Sequence, residues 1–292
     1  MNLLKLSYFA RGLSRVAVLP VCPNCGSRAL ENVDRKFLVT ALRRCADCLL
    51  QFRVPTDDEA FNDRFYNRFY QQGMTTDLPS ASELDHLKAT GFAGTEKNYD
   101  KYIAILTAAG CGPGSRILDF GCSWGYGSWQ LSQAGYMVKA YEISRQRAGY
   151  AGAKLGVDLI DDVAKFANGL AEEDKFDCFF SAHVLEHVPS PSAVIGLSRA
   201  LLKEDGLFIA ATPNGSAMFR KVQPQAWRKY WGLVHPNFLD EVFYRAAFAE
   251  RPICLVSSHV DLAAISAFLA GSESVTGDLT GGELVLIAKG IT

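Results

Sequence analysis

Three groups of residues in this sequence have the types and spacing to do chemistry. The first is Asp119-x-Gly121-x-x-x-Gly125, with Glu142 further on. Gly121 and Gly125 would let the backbone approach a ligand where any Cβ would collide. An acid about 20 residues beyond a glycine turn is placed to accept two hydrogen bonds from a ribose diol. The second group is Cys22-Pro23-Asn24-Cys25 and Cys45-Ala46-Asp47-Cys48, with 19 residues between Cys25 and Cys45. Two C-x-x-C pairs about 15–20 residues apart are the pattern of a structural zinc site. Each knuckle can turn both thiolates toward one tetrahedral ion, and four thiolates leave no open position for catalysis. The third group is Glu186-His187. It has the look of a metal or acid–base pair, but no third ligand is spaced to complete a site. It reads as a structural pair holding the following loop to a sheet. Direct chemistry at His187 is the alternative, because imidazoles near clefts carry protons.

The elements that must position these residues follow from hydrophobic patterning. Residues 116–120 form a short apolar run, the glycine turn opens a helix over 128–134, and 137–141 is a second apolar run ending at Glu142. That is a β-α-β unit with acids at both strand ends, and ligands of open α/β sheets sit at the carboxyl ends of the strands. A helix over 144–155, a strand over 157–160, a strand over 176–181, a helix over 193–202 with an exit turn at 203–206, and a strand over 207–212 continue the alternation. Two more strands, 253–258 and 283–289, flank a Gly/Ser/Thr/Asp-rich connector at 271–282. Before the sheet, 36–40 and 49–53 read as strands of a zinc ribbon. Thr56-Asp57-Asp58-Glu59 is a capping box, followed by an aromatic stripe of Phe61, Phe65 and Phe69 with Tyr66 and Tyr70 beside it. The stripe packs the ribbon against the main domain or forms a lid. A short helix at 83–89 and a clearer one at 97–109 complete this layer.

The motif from Asp119 to Gly125 followed by Glu142 resembles motif I and the second-strand acid of class I S-adenosylmethionine-dependent methyltransferases. Ser123 stands where the usual family form has a middle glycine. Leu185-Glu186-His187-Val188 is similar to the "LEHV" segment of the family's small-molecule branch. The resemblance covers about residues 95–290. It implies an α/β fold, a Rossmann-like seven-stranded methyltransferase sheet whose last strand inserts antiparallel between the fifth and sixth, here with an N-terminal zinc-ribbon module and a helical accessory layer. It implies S-adenosylmethionine held by Asp119, Gly121, Cys122, Ser123, Gly125, Glu142 and Ile143, with Asp162 or its neighbour Asp161 at the adenine unless it caps a helix. Ser181 and His183 would line the methyl-donor pocket. His235 resembles a histidine next to the reacting centre in related sugar and quinone methyltransferases and is the candidate general base; the alternative is that it caps a helix or orders its loop. The aromatic interval 216–236 would carry acceptor recognition. The expected activity is methylation of a small polar acceptor, an O-methylation of a sugar or glycan-linked group.

Composition bounds the rest. A net charge of −1 over 292 residues gives no field that points to nucleic acid or an anionic membrane. An RNA methyltransferase, with Arg43-Arg44 and 220–229 as contacts, is the main rival; a non-catalytic donor-binding module is another. A dinucleotide oxidoreductase would want Gly-x-Gly-x-x-Gly, whereas the glycines here stand at 121, 125 and 127. There is no run of about 18 apolar residues to span a membrane. Residues 1–20 read as a surface segment and not a targeting signal. Four of the eight cysteines have patterned spacing, which favours structural Zn2+ in a reducing, cytoplasmic setting. The expected organisation is a zinc ribbon over 1–54, a helical lid or linker over 55–95 and the methyltransferase domain over 96–292.

Overall fold

The apolar run ahead of the glycine turn is a fully buried strand in the computed structural model, which describes residues 19–36, 39–56, 77–232, 234–249, 251–259 and 261–290. The aromatic stripe at 61–70 and the segment 1–18 lie outside the described residues.

In chain order, β1 (Leu30–Lys36), β2 (Thr40–Cys45) and β3 (Gln51–Val54) come first, then α1 (Ala81–Ala89) and α2 (Asp100–Ala108). The main sheet opens with β4 (Arg116–Phe120), α3 (Tyr126–Gln133), β5 (Met137–Tyr141), α4 (Arg145–Tyr150, prolonged by a π turn over Ala151–Leu155), β6 (Asp158–Leu159) and α5 (Val163–Asn168). It continues with β7 (Phe176–Ala182), α6 (Pro191–Leu201), β8 (Leu202–Pro213), α7 (Ala217–Val222), α8 (Pro224–Tyr230) and β9 (Asn237–Phe238). It closes with α9 (Glu241–Ala247), β10 (Ile253–Ser257), α10 (Leu262–Ala270), β11 (Val275–Thr276) and β12 (Glu283–Lys289).

The main sheet runs β11-β10-β12-β8-β7-β4-β5-β6, so it has eight strands and not the seven expected. The extra one is β11. The polar connector lays Val275 and Thr276 parallel to Cys254 and Leu255, which caps an otherwise open sheet edge. Within the other seven, β12 lies antiparallel between β8 and β10, as expected. Chain order reverses between β4 and β7, both parallel to their neighbours, and that reversal opens the crevice where a ligand sits. Ile117 packs into one apolar layer and Leu118 into the layer on the opposite face, which is why these strands are apolar without alternation. The turn expected at 203–206 is absorbed into β8, where the register against β7 slips between Phe176 and Cys178.

The ribbon's strands sit elsewhere than expected. Lys36 and Thr40 pair with each other across the turn of the β1–β2 hairpin and do not share one strand. Its sheet is also not self-contained: β3 takes β9, from the far side of the chain, as a fourth strand. Asp240 seals that join, accepting from Gln51 Nε2 at 2.6 Å and from the Arg44 guanidinium while capping α9 through Phe243 N–H at 2.8 Å. The aromatic interval is turned inward. Phe219, Trp227 and Trp231 are buried with Leu42 of the ribbon and Phe238. They join the two modules and offer no open face to an acceptor.

Asp240 is 2% exposed, so removing its carboxylate strands a partly buried Arg44 and deletes a cap. Asp240→Ala is expected to cost about 3 kcal/mol, read as a lowered denaturant midpoint with donor-crevice residues otherwise intact. An unchanged midpoint would mean that the join does not hold the modules together.

Candidate active site

The glycine turn is shaped by its own chain. Gly121 and Gly125 take φ of +87° and +86°, where side chains are strained. A Cβ on Gly121 would stand 2.3 Å from Val184 Cγ2, and one on Gly125 would stand 2.8 Å from Ala151 Cβ. The atoms that a Cβ would meet at these glycines belong to the protein itself. The Val184 contact also presses the loop after β7 onto the turn after β4.

Glu142 closes the turn. Its two oxygens accept from Ser123 N–H at 2.9 Å and Ser144 N–H at 2.8 Å. Burial holds its carboxyl above the ordinary range against those bonds and Arg147. Each oxygen keeps a second lone pair, so a diol can still donate to it. Asp119 stands behind the turn, 1% exposed, accepting from Ser128 Oγ at 2.6 Å; it braces the first turn of α3. Cys122 is buried, and burial pushes its thiol well above its usual range. Ile143 is 74% exposed at the end of β5, an apolar face beside Glu142. Asp162 caps α5 through Lys165 N–H at 3.0 Å, and its other oxygen meets Lys165 Nζ at 3.2 Å. Ser123 Oγ and Ser181 Oγ are buried with no hydrogen-bond partner among the described residues. Unpaired buried hydroxyls flanking one crevice are what a polar ligand would satisfy.

His183 follows β7 with φ of +57°. Its Nε2 lies 2.9 Å from Glu283 Oε1 and its Nδ1 3.4 Å from Glu186 Oε1. Burial lowers the ring's pKa, but the two carboxylates outweigh it and hold it up to about 10. Burial likewise lifts Glu283, yet His183 and Lys101 bring it down to about 2. Tyr102 donates to Glu283 Oε1 at 2.6 Å and Lys101 Nζ to its Oε2 at 2.5 Å. This network was missed by sequence reasoning. Glu283 opens a strand and no spacing links it to His183.

The larger correction concerns Glu186-His187. A third group does join it: Glu186, His187 and His235 bring one ligand atom each to within 4.8 Å of one another. The His187 and His235 ring centroids are 5.1 Å apart. His187 Nδ1 is 2.8 Å from Val234 O, and His235 Nδ1 2.6 Å from Tyr230 O. Carbonyl oxygens only accept, so both Nδ1 atoms carry a proton. Burial lowers the His187 pKa to about 4 against the pull of Glu186.

Cys22, Cys25, Cys45 and Cys48 bring their sulfurs to within 4.8 Å of one another. Cys22 Sγ lies 3.6 Å from Cys48 Sγ and Cys25 Sγ 3.5 Å from Cys45 Sγ. Sulfurs about 2.3 Å from one tetrahedral ion stand ~3.8 Å apart, so the four fit that donor set. Amides of Cys48 and Asp47 help bring Cys45 down to about 7 despite burial.

A methyltransferase-domain family model matches residues 95–251. A ubiquinone biosynthesis O-methyltransferase of Paraburkholderia phytofirmans is 28% identical over 149 residues, 46% of this chain and 64% of that protein. One of Haemophilus ducreyi is 33% identical over 110 residues, 35% of this chain and 46% of that protein. The chain therefore spans less than two thirds of the length of these relatives. Among solved structures, magnesium protoporphyrin IX methyltransferase from Synechocystis with bound SAH is 20% identical, with a TM-score of 0.47 over 80% of this chain and 99% of that one. No helix among the described residues is long and apolar enough to cross a membrane.

Burial raises the Asp119 pKa from 3.8 to about 6. A raised folded-state value stabilises the fold below 3.8, and that stabilisation is lost as pH rises through about 6. Asp119→Asn removes the titration. The variant's stability relative to the parent is expected to climb by up to roughly 3 kcal/mol as pH rises across that window. Denaturant unfolding at a series of pH values checks this; a pH-independent difference would refute it.

Proposed function

The chain belongs to the methyltransferase-domain family whose model spans 95–251, and from that premise we propose that it moves a methyl group from S-adenosylmethionine to a hydroxyl of a small acceptor. When bound, this donor supplies a methyl already activated on a sulfonium. The chain's residues bind and orient it. Glu142 takes the ribose hydroxyls, the 121–125 turn receives the rest of the nucleoside, Ile143 lies under the adenine with Asp162 nearby, and Ser123, Ser181 and His183 line the reacting end. The observation that carries the reading is the meeting of His235, which stands just before β9, with Glu186 and His187 on the loop whose Val184 lies against the glycine turn. His235 Nε2 is the proton acceptor for the hydroxyl; His187 and Glu186 hold it in place.

A phenolic hydroxyl suits a neutral imidazole better than a sugar hydroxyl, because its proton is far less tightly held. The relatives' names, which specify O-methylation in ubiquinone biosynthesis, point the same way. The sugar or glycan acceptor rested partly on the aromatic interval 216–236 as the seat of acceptor recognition, and its Phe219, Trp227 and Trp231 are buried. The four cysteines are the ligands of a structural Zn2+, and holding β3 in place for β9 is the ribbon's work.

Glu142→Ala is expected to weaken S-adenosylhomocysteine binding at least tenfold, about 1.4 kcal/mol, in calorimetry. His235→Gln should leave that affinity unchanged yet slow labelled methyl transfer to a panel of catechols and phenols by about 10²–10⁴-fold. Equal turnover would remove His235 from the reaction. Elemental analysis should find about one zinc per chain in gently purified protein, and none in a Cys22→Ser, Cys45→Ser double variant; metal-free parent protein would overturn the zinc assignment.

A further inference from the structure

We infer that Asn24, which stands between the two cysteines of the first knuckle, is a positioning residue for the acceptor side of the crevice: it fixes the far end of the segment 183–190 that carries Glu186 and His187. That segment leaves β7 at His183 and enters α6 through Pro189-Ser190-Pro191. A proline has no N–H, so the backbone of this stretch offers a donor only at Ser190. Side chains from elsewhere must hold it.

Asn24 supplies the hold. Its Oδ1 accepts from Ser190 Oγ at 2.9 Å and from Ser192 N–H at 2.9 Å, and its Nδ2 donates to Ser192 Oγ at 2.9 Å. A backbone N–H only donates, so the partners settle which way the amide faces. Ser190 in turn accepts from Ala193 N–H at 3.2 Å as the N-cap of α6. The first turn of a helix leaves its N–H groups without intrahelical partners. Here Pro191 has none to offer, Ser190 takes that of Ala193, and Asn24 takes that of Ser192 from 168 residues away in the chain.

The rest of the segment is held at other points. His183 meets Glu283 at 2.9 Å, and Asn237 donates to Glu186 O at 3.0 Å and to Val188 O at 2.6 Å. Between these ties stands His187, whose Nδ1–H reaches Val234 O at 2.8 Å, next to His235. A shift of His187 is therefore passed to the residue beside His235. Asn24 itself is a fixed point. Cys22 and Cys25 flank it and belong to the four-sulfur cluster, Gly26 N–H closes the knuckle on Cys22 O at 2.9 Å, and Cys22 lies in the same apolar layer as Ile195 of α6. The bearing of Asn24 on turnover rests on the function proposed above; its hold on the two histidines does not.

The test compares the full chain with its Asn24→Ala and Asn24→Asp variants, each carrying isotope-labelled histidine rings followed by NMR. An aspartate keeps an oxygen for Ser190 and for Ser192 N–H, and the Ser192 hydroxyl can turn to donate to it, so Asn24→Asp should restore what alanine removes. The ring signals of His187 and His235, identified from His187→Gln and His235→Gln, are expected to move in Asn24→Ala and to return towards the parent's in Asn24→Asp. Those of His86 on α1 and His259 after β10 should stay in place in both. Asn24→Ala should lower kcat on the order of tenfold, with the KM for the donor and S-adenosylhomocysteine affinity unchanged, and Asn24→Asp should recover it. Unmoved His187 and His235 signals in Asn24→Ala, a shift shared by all five histidines, or an aspartate variant no better than the alanine one would overturn the assignment. Histidine signals that behave as expected in a parent protein that transfers no methyl group would instead overturn the proposed function.

Discussion

Two residue pairs, Gln51 with Phe238 and Phe52 with Asn237, hold this molecule's chemistry in register. They join the ribbon's last strand to a strand that begins just after His235. Arg53 N–H donates to Pro236 O at 2.7 Å, extending the ladder to the residue next to that histidine. On its other side, Asn237 donates its backbone N–H to Glu186 O at 3.0 Å and its side-chain amide to Val188 O at 2.6 Å. One short strand thus fixes His235 from the ribbon and Glu186-His187 from the sheet. A two-residue ladder alone is weak, so it depends on the buried cluster around Trp227 and Trp231 and on Asp240 for its rigidity.

The segment after β7 is stiffened by charge. Glu283 reaches across from β12 to His183, Lys101 and Tyr102. That ties the segment after β7 to the accessory helix α2 and to the last strand. The positive φ of His183 is a strained geometry that such a network can maintain. The same segment carries Val184 against Gly121, so the glycine turn, the His183 clamp and the Glu186 cluster form one packed unit.

The parts legible in the sequence were the local ones. Asp119 to Gly125 with Glu142 announces a strand, a turn and a second strand, because each residue's job is done within one β-α-β unit. Ser144 to Leu155 and the final antiparallel strand followed from the same kind of pattern. What could not be read was pairing at long range. Nothing in the spacing says that Asn237 completes the ribbon sheet, that His235 meets Glu186, or that Glu283 clamps His183. The aromatic interval misled for a related reason: Trp227 and Trp231 are compatible with a binding face or a core, and only their contact with Leu42 and Phe238 decides. Ser80 and Glu83 form a capping box that was legible but overlooked, and nothing in the spacing says that Val184 and Ala151 lie against the glycines of the turn.

A crystal structure of the chain soaked with S-adenosylhomocysteine tests the central claim most directly. The account predicts the nucleoside over the 121–125 turn, both ribose hydroxyls on Glu142, and the sulfur at the end of the crevice bordered by Ser181 and His183. A crevice without ligand, or a bound molecule with Glu142 turned away from its ribose, would contradict it.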